Sequence, residues 1–228
     1  VRRIAALTIH ATVLRARGDL EAAASALDEA DAIPQRGKLS LRRNDFAEDP
    51  TPAADRDVAR AELLLSQGRP ADAVPLARRS LEVFQFEGNG AAQADALHVL
   101  ARAQIAAGEL AAARTSLDRA SAMPIASVDR VLALSLAATV ARLQIAGSAP
   151  ADLPSIRRNL EDARSEAIRL GFVLLEMELD LAIAETEVIA GARPAARSRL
   201  AALERRASSL GAGLMKQRSR ELASHSAR

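Results

Sequence analysis

The sequence predicts an all-α fold: a right-handed solenoid of about five stacked helix pairs, forming one domain over residues 1–228. Three observations carry that prediction. The 228 residues include 53 Ala and 31 Leu, so more than a third of the chain is two strong helix formers. Apolar residues recur at three- and four-residue spacing, which lines one face of an α-helix. The sequence also repeats itself. Gly18-Asp19-Leu20-Glu21-Ala22-Ala23 with Leu27, Asp28, Ala30, Ala32 and Pro34 is matched at every offset by Gly108-Glu109-Leu110-Ala111-Ala112-Ala113 with Leu117, Asp118, Ala120, Ala122 and Pro124. Weaker copies begin at Gly68 and Gly191, and a degenerate one at Gly147, giving spacings of 50, 40, 39 and 44 residues.

Helices are predicted at about 2–17, 20–33, 53–67, 70–86, 91–107, 110–122, 127–146, 153–170, 172–190 and 194–210, with a frayed one over 212–224. The physics of one unit justifies them. Leu97, Leu100, Ala101 and Ile105 form one buried stripe. Gly108 stops that helix, because a left-handed residue ends many helices. Glu109 opens the next, where a negative charge suits the helix N-terminus. Leu110, Ala113, Leu117 and Ala120 form its stripe, and Pro124 ends it. Pro70 and Pro194 fit first turns, where a missing N–H costs nothing. Pro75 lies deeper and is expected to kink or delay its helix. Asp152 reads as a cap. Gly88-Asn89-Gly90 is a helix break; no P-loop Lys-Ser/Thr follows it. The stretch 34–54, with Leu39, Leu41 and Phe46, is an irregular insertion that accounts for the wide first spacing.

This pattern resembles the tetratricopeptide repeat. The matching residues are Leu97, Leu100, Ala101, Gly108, Leu110, Ala113, Leu117, Ala120 and Pro124, and in the first copy Leu7, Ala11, Leu14, Gly18, Leu20, Ala23, Leu27, Ala30 and Pro34. The spacing exceeds that family's roughly 34 residues, so helices or turns are elongated. Leu and Ala stand where the family packs aromatics; the chain has four Phe, no Trp and no Tyr. A narrower resemblance covers Ala167 to Phe172, Glu176 to Glu187, Gly191 and Arg197 to Glu204, which are similar to the C-terminal repeats of large bacterial regulators. Those regulators carry a Ser/Thr kinase domain or a winged-helix domain upstream. The resemblance implies a sensor or partner-binding module appended to an effector domain; because the sequence opens at Val1 inside a helical pattern, it is expected to be a piece of a longer, cytoplasmic polypeptide.

Composition excludes other classes. With 49% hydrophobic and 26% charged residues the chain is not disordered as a whole. No cysteine is present, so there is no disulfide, thiolate or Cys-zinc chemistry. No apolar run reaches the roughly 18 residues of a membrane span, and Ser135 and Thr139 interrupt the segment Val131 to Ala141. The histidines, His10, His98 and His225, have no ligand-spaced partners, so no metal or cofactor is expected. His10 falls on the buried stripe; His98 sits one step off it, toward the groove. Glu176, Glu178 and Asp180 read as solvated acids. No nucleophile, base and orienting group come together, so no catalytic residue is predicted and the segment is not an enzyme.

Two candidate surfaces remain. The concave face would be lined by Thr8, Thr12, Glu62, Asp95, His98, Arg102, Gln144, Glu178 and Glu185, a mixed and mildly acidic set suited to a protein or peptide partner. The alternative is a basic patch of Arg193, Arg197, Arg199, Arg205, Arg206, Lys216, Arg218 and Arg220. Residues 193–228 carry nine basic and two acidic residues, net +7, against +2 for the whole chain. Such a patch could bind nucleic acid or an acidic neighbour, although few aromatics exist to stack bases. Exposed solenoid ends would favour self-association.

Overall fold

The computed structural model describes residues 2–33, 51–147 and 152–226. Among them the chain forms twelve helices and no strand: α1 (Arg2–Ala16), α2 (Leu20–Ala32), α3 (Thr51–Ser66), α4 (Pro70–Phe86), α5 (Gly90–Ala106), α6 (Leu110–Ser121), α7 (Ile125–Val128), α8 (Arg130–Gly147), α9 (Leu153–Leu170), α10 (Val173–Ile189), α11 (Arg193–Ser209) and α12 (Gly213–Ser226). The insertion expected at 34–54 lies outside the described residues up to 50; positions 51–54 open α3.

One turn type builds the stack. Gly18, Gly68, Gly88, Gly108, Gly171, Gly191 and Gly211 all have positive φ, from 67° to 84°. After each, the next N–H bonds the carbonyl five residues back. Asp19 to Leu14, Asn89 to Phe84 and Glu109 to Gln104 are examples at 2.8–3.0 Å. This closes the last helical turn and reverses the chain. Gly68, Gly88 and Gly108 are evenly spaced, and Gly171, Gly191 and Gly211 repeat the same spacing. The helices that end at these turns are nearly equal: α1 has 15 residues, α3 has 16, α4, α5, α10 and α11 have 17 each, and α9 has 18. Three-residue turns join them, shortened to two between α9 and α10. The long spacing therefore comes from longer helices. Gly147 is different: it is the last residue of α8 and has no positive φ.

Local chemistry explains most boundaries. Asp19 and Asn89 cap α2 and α5, each accepting from an N–H three residues on at 3.1 Å. The predicted helix 127–146 is split. Asp129 is extended, and its carboxylate accepts from the Leu132 N–H at 3.0 Å, so α8 starts only at Arg130. Asp152 precedes α9 without a side-chain cap bond. α4 runs through Pro75, which removes one intrahelical donor without ending the helix. α12 is a full helix to Ser226 rather than a frayed one, because Ala212 and Met215 join the core.

The helices form two layers. α1, α3, α5, α8, α10 and α12 make the inner layer, each packed on the next; α2, α4, α6, α9 and α11 cover them outside. α12 also packs back on α1. The two ends meet backbone to backbone: a Cβ built on Gly213 would lie 2.0 Å from the Arg17 carbonyl oxygen, and one on Gly18 would lie 2.9 Å from the Gly213 carbonyl carbon. The solenoid is thus a single turn whose ends touch.

Inner helices knit the core together. α3 sends Ala59 and Leu63 into one cluster and Ala61 and Leu64 into the next. α8 divides Leu132, Leu136 and Leu143 from Leu134, Ala138 and Ala141 in the same way, and α10 divides Leu179 and Ile183 from Met177 and Leu181. α8 is also the one described helix long and apolar enough to cross a membrane, with mean hydropathy 1.3 over 18 residues. Its leucines pack on protein neighbours on two sides. Helix contacts are made by alanine: Ala23, Ala30, Ala73, Ala77, Ala113 and Ala120 are fully buried. Small side chains let the backbones approach closely, so the aromatic residues of the repeat pattern are not required.

Two glycine substitutions separate the turn from the helix. Gly108→Ala, forced to keep φ near +81°, is expected to cost about 1–2 kcal/mol. Gly147→Ala, with open space around its Cβ, is expected to gain up to about 1 kcal/mol. Urea unfolding followed by circular dichroism checks both.

Candidate functional site

The inner layer turns a ring of charge toward the axis. Glu62 of α3 holds two arginines at once: Arg15 of α1 at 2.7 Å and Arg102 of α5 at 3.1 Å. Arg142 of α8 pairs with Glu185 of α10 at 3.2 Å and donates to the Glu178 carbonyl at 3.5 Å. Arg218 of α12 joins the same interior, influenced by Glu178, Glu185, Arg142 and Arg102. Around the ring the order is Arg15, Glu62, Arg102, Arg142, Glu185, Arg218. Glu62 and Glu185 are thus each flanked by cations, Arg102 and Arg142 meet as cation against cation, and Glu178 acts on Arg102, Arg142 and Arg218 together.

His98 of α5 lies where Arg102 and Arg142 meet. Thr139 donates its hydroxyl proton to the Ser135 carbonyl at 3.0 Å, so its oxygen accepts from the His98 Nε2–H at 2.9 Å. Burial, and then the Arg102 and Arg142 charges, push the His98 pKa down to about 3, against an opposing pull from Glu178. The imidazole is therefore uncharged at neutral pH. Burial disfavours the charged Glu178 carboxylate, but Arg102, Arg142 and Arg218 outweigh it and hold its pKa below the ordinary value. Arg142 is raised: its burial is outweighed by Glu185 and Glu178. At the rim, Asp95 is raised by partial burial and by the Asp129 and Glu62 charges.

The expected groove set divides. Glu62, His98, Arg102, Glu178 and Glu185 come together in this interior. Thr8 is buried and bonds its own helix at the Ile4 carbonyl; Thr12 bonds the Thr8 carbonyl. Gln144 is exposed on the other side of α8, in a groove with Ser121, Val140 and Asn159. The residues that sequence reasoning missed are Arg15, Thr139 and Arg142; Arg218, expected in the basic patch, turns into the interior. Arg142 had a legible signal: it follows Arg102 by the same interval that separates Gly68 from Gly108. His10 is exposed rather than on the buried stripe.

Glu176 and Asp180 are buried, not solvated, and they face away from the ring. Arg164 of α9 bonds Asp180 at 2.7 Å, Arg199 of α11 bonds Asp180 and Glu187 at 3.0 Å each, and Arg206 bonds Glu176. The basic patch is dispersed by these pairs. Arg199 and Arg206 neutralise buried acids, Arg220 pairs with Glu204 at 2.6 Å, and Arg218 faces the interior. Arg193, Arg197 and Arg205 are exposed, and Lys216 is half-buried. Among the described residues no group of three or more His, Asp or Glu could hold a metal ion.

The His98 environment has a pH signature. Below about pH 6.5 the unfolded imidazole takes up a proton, while the folded one does not until about pH 3. The unfolded state then binds more protons, so stability is lost as pH falls through that window, by up to about 1.4 kcal/mol per pH unit. His98→Gln is expected to flatten that slope in urea unfolding measured across the window.

Comparison with known proteins is consistent with this architecture. Residues 54–125, spanning α3 to α6, match the tetratricopeptide repeat family. No curated protein matches the chain. The fold is an all-α helical-repeat solenoid, and a tetratricopeptide-like repeat region lies within it.

Proposed function

We propose that this chain is a non-catalytic module that binds a protein or peptide partner in its charged interior. Tetratricopeptide repeats generally mediate contacts between proteins, and stacked helix pairs present extended concave surfaces for such contacts. The observation that carries the reading is the ring of Glu62, Arg102, Arg142 and Glu185: inner-layer charges held by neighbouring helices, where a solvated surface would scatter them. Similarity of residues 167–204 to the repeats of large bacterial regulators supports a place in a cytoplasmic signalling or transcription-regulatory protein. In that setting the module would recruit or sense, and an effector domain elsewhere in the polypeptide would act.

Nucleic-acid binding through residues 193–228 is the second reading. It is weakened by the pairing of Arg199, Arg206 and Arg220 with carboxylates, because paired arginines release fewer counterions from a phosphate backbone. Self-association would use exposed apolar residues of α1, Ile9 and Val13, which are 66% and 50% exposed.

A random-peptide display library panned against the intact chain tests partner binding. Enriched peptides are expected to lose at least tenfold in affinity when Arg102→Glu or Glu185→Arg is introduced, and to be unaffected by the exposed outer change Arg197→Glu. Circular dichroism of each variant confirms that it still folds. An absence of enriched peptides, or sensitivity to the outer change alone, would contradict the proposal.

A further inference from the structure

The charges that would receive a partner are largely withdrawn from solvent: Glu62, Arg102, Arg142 and Glu185 are between 16% and 25% exposed. They are also satisfied by the fold itself. Arg102, Arg142 and Arg218 are matched by Glu62, Glu178, Glu185 and Glu221, so the closed interior holds no excess positive charge. A partner segment reaches these groups only if some joint of the ring gives way. The two sides of α12 differ in what holds them. Toward α11, Ala212, Met215, Leu222 and Ala223 join a core cluster, and Arg220 pairs with Glu204. Toward the other side such ties are missing. No ion pair among the described residues joins α12 to α1, α3, α5 or α8. A cavity of about 450 Å³ separates Leu214 and Arg218 of α12 from Leu65, Arg102, Ile105 and Arg142. Unfilled volume forfeits the dispersion contacts that packed side chains would make.

What closes that side is a backbone contact. Gly213 is helical and has no positive φ, so its own conformation does not call for glycine. The Arg17 carbonyl does: a Cβ on residue 213 would lie 2.0 Å from that oxygen. Arg218 adds a cost to closure. It is half-buried and forms no ion pair among the described residues. Burial, then the Arg142 and Arg102 charges, lower its pKa to about 10 against the pull of Glu178 and Glu185. We propose that the seam between α12 and the α1–α2 turn is a gate: it opens while the rest of the solenoid stays folded, and a partner segment enters the charged interior through it. This rests on the reading of the interior as the binding surface and adds the route by which a partner reaches it. Opening the least-tied joint needs less free energy than unfolding the whole chain. In a helical-repeat stack each pair contacts only its neighbours, so small rotations at successive joints sum to a wide movement at the seam. The open form is a minor population, and the apparent affinity of a partner falls in proportion to it.

Thiol labelling of the intact, otherwise cysteine-free chain tests the gate without a ligand. Thr139→Cys places a thiol on the cavity wall, at a fully buried position. Ser80→Cys places one in the core of α4 against α3, away from the seam. Reaction with Ellman's reagent is timed at increasing urea. Thr139→Cys is expected to label about tenfold faster than Ser80→Cys or more, with a shallower urea dependence, because local opening exposes less surface than unfolding. Adding Gly213→Val is expected to speed Thr139→Cys by about tenfold again and to leave Ser80→Cys unchanged. Should Gly213→Val loosen the whole chain, the urea dependences of the two single-cysteine chains decide alone. Equal rates with equal urea slopes at the two thiols overturn the proposal. The route is tested by bridging Arg17→Cys to Gln217→Cys with a bismaleimide, which holds the seam shut. Display-selected peptides are expected to lose at least tenfold in affinity for the bridged chain and to keep it for the unbridged one. Peptides that bind both equally overturn the gate as the route. Local labelling at Thr139→Cys with no enriched peptide supports the opening and contradicts the partner-binding reading instead.

Discussion

A helix of nearly constant length, ended by a left-handed glycine, is the constraint from which the rest of this structure follows. A residue at φ near +75° ends the helix, and the N–H beyond it reaches back five residues to close the terminal turn. Repeating that device at equal intervals gives antiparallel neighbours of nearly equal length. Equal lengths put the same register of side chains at every interface. Fully buried alanines at positions such as Ala73, Ala77, Ala113 and Ala120 then set the spacing between helices. No aromatic core is needed; among the described residues Phe84 is the one aromatic with a fully buried side chain.

The register also decides where charge can sit. Positions six residues before a turn glycine, Thr12, Glu62, Arg102 and Glu185, lie on inner helices. Glu62, Arg102 and Glu185 meet partners there across the ring. α10 carries this principle to both sides. Glu178 and Glu185 serve the interior, while Glu176, Asp180 and Glu187 face Arg164, Arg199 and Arg206 of the outer helices. A buried ion pair gains little over an apolar pair, because desolvation offsets the Coulomb attraction. Breaking one leaves an uncompensated charge, which is far more costly. The acids of α10 are therefore costly to leave unpaired, while the apolar clusters around them supply the stability.

Most of the fold was legible in the sequence, because glycine spacing and apolar stripes are local signals. The boundaries that shifted did so for reasons outside the period. Asp129 interrupts an apolar run that continues on both sides, so one predicted helix became α7 and α8. The site was less legible. Gly147 resembles a turn glycine in sequence but ends α8 without the left-handed turn. Gln144 was expected on the inner face but lies on the other side of α8; counting one full Gly68-to-Gly108 interval on from Arg102 selects Arg142. The basic run over 193–228 was visible as charge, but its neutralisation was not. Arg199 and Arg206 find their acids on α10, 12 and 30 residues away along the chain. The contact of α12 with the α1–α2 turn joins opposite ends of the chain, which no local pattern encodes.

That contact makes the difference between an open groove and an enclosed interior, and it can be measured directly. The chain has no cysteine, so spin labels can be placed cleanly through Arg17→Cys and Arg220→Cys, both at exposed positions. Pulsed electron paramagnetic resonance is expected to give one short, narrow distance distribution. Adding Gly213→Val, whose Cβ would collide with the Arg17 carbonyl, should lengthen and broaden it. A broad, long distribution in the parent chain, unchanged by Gly213→Val, would contradict the closed ring.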